Sequence, residues 1–143
     1  MVKVNLNTAE LTELYAMENP KQKARSTFPI FAPHGAQETA AVYFELNPGD
    51  ELGTHTDSLE EQLYIIEGSV EATVGEEKEN ASAGDLLLVP KLVPHNFKNT
   101  GTGKAKVLGF FGGGNNITAV FENTWLPLGL KTVSTEMLAE QMG

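Results

Sequence analysis

The sequence predicts an all-β domain, a barrel or sandwich of short strands with short helices at its two ends. One observation is the length of the apolar runs after Lys23: residues 28–32, 40–46, 63–66, 70–74, 86–89, 104–111 and 117–121. Each is short and bounded by Gly, Pro, Asn or Asp, which is the strand signature. A second is the punctuation between them. Pro48-Gly49-Asp50, Glu67-Gly68-Ser69, Ser82-Ala83-Gly84-Asp85 and Gly101-Thr102-Gly103 are turn sequences. Many short strands at turn-separated intervals point to a sandwich or a closed barrel. A chain of 143 residues is one domain by length. The barrel is placed at about 23–123 and a C-terminal extension at 124–143.

Taken in order, Asn7-Thr8-Ala9-Glu10 resembles a capping box, and Leu11, Leu14 and Tyr15 share one helical face. A short helix is therefore expected over about 8–17, ended by Asn19-Pro20. The strands follow, with the acidic run 71–79 as an exposed hairpin. Gly112-Gly113-Gly114-Asn115-Asn116 is read as a flexible hairpin loop, because it lacks the strand–turn–helix setting of a phosphate cradle. Trp125, in an apolar segment after the last strong strand, either caps the barrel or lies in an interface. Residues 135–142 close the chain as a helix.

Composition narrows the function classes. Ten basic residues face 19 acidic ones, a net charge of −9, with no basic run. Nucleic acid and anionic membrane both demand clustered Lys and Arg, so neither is an expected partner. With no cysteine, disulfides and thiolate metal sites are excluded. No apolar run approaches the ~20 residues that span a bilayer, and the first residues lack the apolar core of a signal peptide. The cytoplasm is the expected compartment.

Two stretches carry histidines and a carboxylate at telling intervals. The first contains Gly49, His55, Asp57, Glu61 and Gly68; the second contains Gly84, Pro90, Leu92, His95 and Asn99. Together they resemble the paired motifs of the cupin superfamily, G-x5-H-x-H-x3-E-x6-G and G-x5-P-x-G-x2-H-x3-N. Eight of the ten fixed positions match, Asp57 replacing a second histidine and Leu92 a glycine. The resemblance implies a small single-domain cupin, a double-stranded β-helix or jelly-roll barrel. It implies that His55, Glu61 and His95 converge on one divalent transition metal, whose identity among Fe, Mn, Ni and Zn is open. Two imidazoles and a carboxylate suit such ions and leave coordination positions free. Side chains alternate along a strand, so His55 and Asp57 project one way, Glu61 shares a face with Leu63, and His95 shares one with Phe97.

Asp57 has three readings. It binds the metal, directly with the ion shifted or through a water; it orients His55 from outside the ligand set; or it is a solvated acid. Pro90 and Pro94 are expected to fix the turn that a glycine at 92 eases. Leu63 and Phe97 are the candidates for pocket lining, or else plain core. Either Tyr43 or Phe44 faces the barrel, and the run does not alternate enough to choose. His34 is an acid or base at the pocket mouth, or a surface residue.

The expected function is that of a metal-binding cupin acting on a small organic molecule, foremost a metal-dependent oxidoreductase of dioxygenase type. The alternatives are a non-catalytic binding or sensor cupin and a metal-dependent isomerase or lyase. Cupins of this size commonly pair, so a homodimer is expected, with the apolar segments 28–32 and 125–130 as its buried face.

Overall fold

A computed structural model describes residues 1–142. Its strands are β1 (Thr12–Ala16), β2 (Lys23–Thr27), β3 (Thr39–Leu46), β4 (His55–Asp57), β5 (Glu61–Glu67), β6 (Ser69–Val74), β7 (Glu77–Ser82), β8 (Leu86–Val89), β9 (His95–Asn99), β10 (Ala105–Gly112), β11 (Thr118–Leu126) and β12 (Leu130–Ser134). A 3₁₀ turn covers Ala32–His34, and the single α-helix, α1, is Thr135–Met142. The strands run in the order β7-β6-β9-β4-β11-β1-β2-β3-β10-β5-β8, with β12 added to β11. Every pairing between these strands is antiparallel. This is the curled sheet of a double-stranded β-helix. No helix among the described residues is long and apolar enough to cross a membrane.

Alternation drives the curl. On β5, Glu61, Leu63 and Ile65 are buried while Gln62, Tyr64 and Ile66 are exposed; on β9, His95, Phe97 and Asn99 are buried. The inward residues form one apolar cluster around Phe44, Leu46, Leu63, Ile65, Val70, Phe97 and Val107. A smaller cluster gathers Phe31, Ala40, Phe111 and Ile117 at one end. Phe44 is the member of its pair that faces inward. Tyr43 lies on the other face, where its hydroxyl donates to Glu45 Oε2 at 2.7 Å. Asn99, from the second motif, is buried and structural: its amide donates to the carbonyls of Leu46 and Gly103.

The N-terminal helix expected over 8–17 does not form; residues 12–16 are β1. Short helices have little stability of their own. β1 instead fills the gap between β2 and β11, pairing Leu14 with Ala24 and Ala16 with Trp125. The sheet therefore begins before residue 23, and it also runs beyond residue 123, through the end of β11 and β12. The C-terminal helix falls where the sequence placed it.

Residues 112–116 are no hairpin, since β10 and β11 do not pair; they cross from one part of the sheet to another. That crossing is tied down: Ala32 N–H donates to Asn115 O, Gly114 N–H to Glu38 O, and the Asn115 amide to Ala36 O. The acidic hairpin is present as β6–β7. The two apolar segments assigned to an interface are partly consumed by the chain itself. Phe31 and Trp125 are buried in its own interior, because β11 continues and carries Trp125 inward.

Two turns carry unusual backbone. Gly68 joins β5 to β6 at φ +82°, and a methyl group there would sit 2.6 Å from the Lys104 carbonyl oxygen. Leu92 adopts φ +64°. The flanking prolines therefore do not replace the glycine: the turn keeps the left-handed conformation, and an exposed leucine bears its steric cost. We expect Gly68→Ala to destabilise by about 3 kcal/mol. Leu92→Gly should stabilise by about 1 kcal/mol. Urea denaturation of both variants beside the wild type checks the opposite signs.

Candidate metal centre

β4 is only three residues long, but it lies between β9 and β11. Its register sets His55 directly opposite His95 on one side and Phe121 on the other. The two imidazole rings lie 4.1 Å apart, and Phe121 stacks on His55 at 4.5 Å. Asp57, two residues along the same strand, faces the same way. All three are buried, as is Glu61 at the start of β5. Asp57 is thus no solvated acid.

Each histidine is oriented by its own backbone. His55 Nδ1 lies 2.8 Å from Gly53 O, and His95 Nδ1 lies 2.9 Å from Val93 O. A carbonyl only accepts, so each Nδ1 carries the proton, and each Nε2 is left with a free lone pair. His95 Nε2 then faces Asp57 Oδ2 at 3.0 Å, and His55 Nε2 faces the same oxygen at 3.7 Å. Neither His95 Nε2 nor Asp57 Oδ2 has a hydrogen-bond partner. Acceptors pressed together in a buried site could hold a cation among them.

A divalent metal fits that role. The donor atoms of His55, Asp57 and His95 all lie within 4.8 Å of one another. Their 3.0 and 3.7 Å separations suit neighbouring ligands of an ion with bonds of about 2.0–2.2 Å. Glu61 is outside that mutually close group, although its Oε1 lies 3.7 Å from His95 Nε2. The sequence reading took Glu61 as a principal ligand and left Asp57 open. The structure groups Asp57 with the histidines and puts Glu61 beside them.

Burial shapes the electrostatics. It drives the His55 pKa down to about 4, despite the opposing pull of Asp57, so this imidazole is neutral at physiological pH. Burial, then the nearby Asp57 carboxylate, pushes Glu61 well above the usual carboxylate range. Space for Glu61 comes from Gly109 on β10. A Cβ there would run into Glu61 Oε2 and Val42 Cγ1. Sequence reading passed over Gly109, because a glycine inside a strand only hints that something approaches closely.

The cluster opens on a cavity of about 80 Å³ in the barrel, whose lining includes His55, Asp57, Glu61, Leu63, Phe97 and Trp125. Both residues proposed as lining are there. Phe121 and Trp125 were not assigned to it from sequence, although Phe121 shares strand parity with the buried Ala119. A larger outer cavity of about 570 Å³ shares Leu14, Ser26, Phe28, Leu128 and Val133 with the inner one. His34 lines this outer space, with its Nδ1 accepting from Phe31 N–H.

Residues 42–111 match the family described as the cupin domain. Among solved structures, a predicted oxalate decarboxylase from Thermotoga maritima is 19% identical with a TM-score of 0.68, covering 78% of this chain and 99% of its own. A polyketide cyclase from Streptomyces resistomycificus is 21% identical with a TM-score of 0.64, over 78% and 79%. A sugar phosphate isomerase from Silicibacter pomeroyi is 17% identical with a TM-score of 0.62, over 85% and 82%. At these identities the likeness is one of fold. No curated protein matches the sequence.

Two outcomes follow from the geometry. Zinc affinity, measured by calorimetry, should fall about 100-fold or more in Asp57→Asn but only about 10-fold in Glu61→Gln, in keeping with a ligand and an outer partner. The depressed His55 pKa sets a pH dependence in the metal-free protein. The unfolded chain takes up a proton near 6.5 and the folded one only near 4, so the contribution to stability is whole above 6.5 and is lost as pH falls toward 4. Thermal melts across that window should show the fall, and His55→Gln should flatten it.

Proposed function

The chain is a cupin, by its central domain and by its fold, and we propose that it is a metal-dependent oxidoreductase of dioxygenase type acting on a small organic molecule. The observation that carries the reading is the two-histidine, one-carboxylate group of His55, Asp57 and His95. That donor set, with positions left open, is the hallmark of non-haem iron oxygenases. His55 and His95 would hold the ion through Nε2 and Asp57 through a carboxylate oxygen, with Glu61 as a further carboxylate beside them. When bound, the metal supplies a Lewis acid and, if it is iron, a partner for O2. The chain's own part is positional: Nδ1 bonds to Gly53 and Val93 keep the lone pairs aimed, and the apolar wall keeps water away from the reacting centre.

Elemental analysis of protein purified without added metal tests the premise, with about one transition-metal ion per chain expected. His55→Ala and His95→Ala should each lower metal affinity 10-fold or more while leaving β-sheet circular dichroism intact. Equal metal content in all three proteins would remove the reading. With the premise met, O2 uptake by iron-loaded protein in the presence of phenols and enolisable ketones distinguishes catalysis from binding. Ligand binding without any O2 uptake would favour a binding or sensor cupin.

We propose in addition that two copies pair through the outer face of β5, β8 and β10. Tyr64, Ile66, Leu86, Leu88 and Phe110 are exposed there, with Tyr64 directly across from Leu86. β8 also ends the sheet, so its outer edge is free to pair. Light scattering should give about twice the 15.4 kDa of one chain, and Leu86→Lys with Leu88→Lys should return it to one. A wild-type mass of one chain would overturn the pairing.

A further inference from the structure

Among the described residues, three buried side-chain polar atoms lack a hydrogen-bond partner: Asp57 Oδ2, His95 Nε2 and Trp125 Nε1. The first two belong to the donor cluster, and a cation accounts for them. The third has no such explanation. A buried N–H without an acceptor is costly, and native interiors rarely leave one unmatched.

The position of Trp125 is informative. Its indole meets Phe121 edge-on at 4.9 Å, and Phe121 stacks on His55, so one ring separates it from a metal-binding imidazole. It lines the same inner cavity as His55, Asp57 and Glu61. Among the described residues, no Lys or Arg lines that cavity, or the outer one that adjoins it. The remaining walls of the inner cavity are aliphatic or aromatic except for Ser26, which it shares with the outer one. Apart from the ion held by the donor cluster, such a chamber has no cationic side chain to pair with a carboxylate or phosphate on a guest, and its own carboxylates oppose one. Its one fully buried spare donor is the Trp125 indole.

Building on the reading of the cavity as a substrate site, we infer that Trp125 is a substrate-binding residue whose indole N–H donates to a carbonyl-type oxygen on an uncharged, largely apolar molecule. The inner cavity of about 80 Å³ suits the reacting end of such a molecule. Leu14, Phe28 and Leu128, shared with the outer cavity, give a longer guest an apolar path outward. Selection by the chain's own side chains is then by apolar surface and an acceptor placed at the indole.

Trp125 is the sole tryptophan, so an amide-correlation NMR spectrum of the zinc-loaded, ¹⁵N-labelled chain contains one indole N–H peak. The probes are acetophenone, α-methylstyrene, which has nearly the same shape without the oxygen, and benzoate. Acetophenone should move the indole peak downfield and saturate. It should bind roughly 10-fold tighter than α-methylstyrene, the usual worth of one hydrogen bond to an otherwise unpaired buried group. Benzoate, titrated into the metal-free protein so that no ion can bind its carboxylate, should bind more weakly than acetophenone. In Trp125→Phe the preference for acetophenone over α-methylstyrene should vanish.

Equal affinity for the two neutral probes, saturable acetophenone binding with an unmoved indole peak, preferred binding of benzoate by the metal-free protein, or no saturable binding would each overturn the proposal. The wild-type shift decides the matter even if Trp125→Phe fails to fold. Repeating the titration on metal-free protein separates this inference from the metal reading. Failure of zinc to bind would sink the latter and leave a Trp125 response standing, whereas zinc bound with a silent indole would do the reverse.

Discussion

The interactions on which the site depends are two hydrogen bonds of one kind, from His55 Nδ1 to Gly53 O and from His95 Nδ1 to Val93 O. Each links a ring to a carbonyl two residues back on its own chain, so the strand that carries the histidine also sets its tautomer. The consequence is that both Nε2 lone pairs point at Asp57, and no proton of their own relieves the crowding. Without those bonds the rings could turn Nε2–H toward the carboxylate and form ordinary buried ion pairs. With them, the cluster is an electron-rich nest that could hold a cation.

Around that nest the barrel supports a high local cost. Two carboxylates lie in an apolar interior where charge is poorly solvated, which is why Glu61 is pushed toward holding its proton and His55 toward losing one. Backbone features serve the same centre. Gly109 gives up a side chain so that Glu61 can lie across β10. The Leu92 N–H donates to the Asp57 carbonyl at 2.9 Å, which ties the turn preceding His95 to the strand that carries His55 and Asp57. Leu92 bears left-handed backbone strain there, and that bond belongs to the structure holding it in place.

The inner and outer faces of the sheet divide the chemistry. Inward residues supply the apolar cavity, its donor cluster and the unpaired indole. Outward residues on β5, β8 and β10 leave large apolar side chains in solvent, next to the one end of the sheet that β7 does not occupy. The donor cluster and cavity on one side and the exposed apolar patch on the other thus occupy different surfaces of the same sheet, an arrangement that period-two alternation makes available.

Much of this was legible in the sequence. Turn-bounded apolar runs gave the all-β class, and the motif pair placed His55, Asp57, Glu61 and His95 on strands that could meet. Alternation put Leu63 and Phe97 on the inward face. Local patterns misled at the N-terminus, where a capping-box sequence and Leu11, Leu14 and Tyr15 read as a helix. An open position between β2 and β11 outweighed that weak local preference. The roles of Asp57, Gly109, Phe121 and Trp125 belonged to tertiary structure alone. Each depends on which strand lies beside which, and in this sheet β4 contacts β9 and β11, partners tens of residues away in the chain. Sequence determined which side chains face inward; only the closed barrel decided which of them are close enough to share a cation, or to leave an N–H without an acceptor.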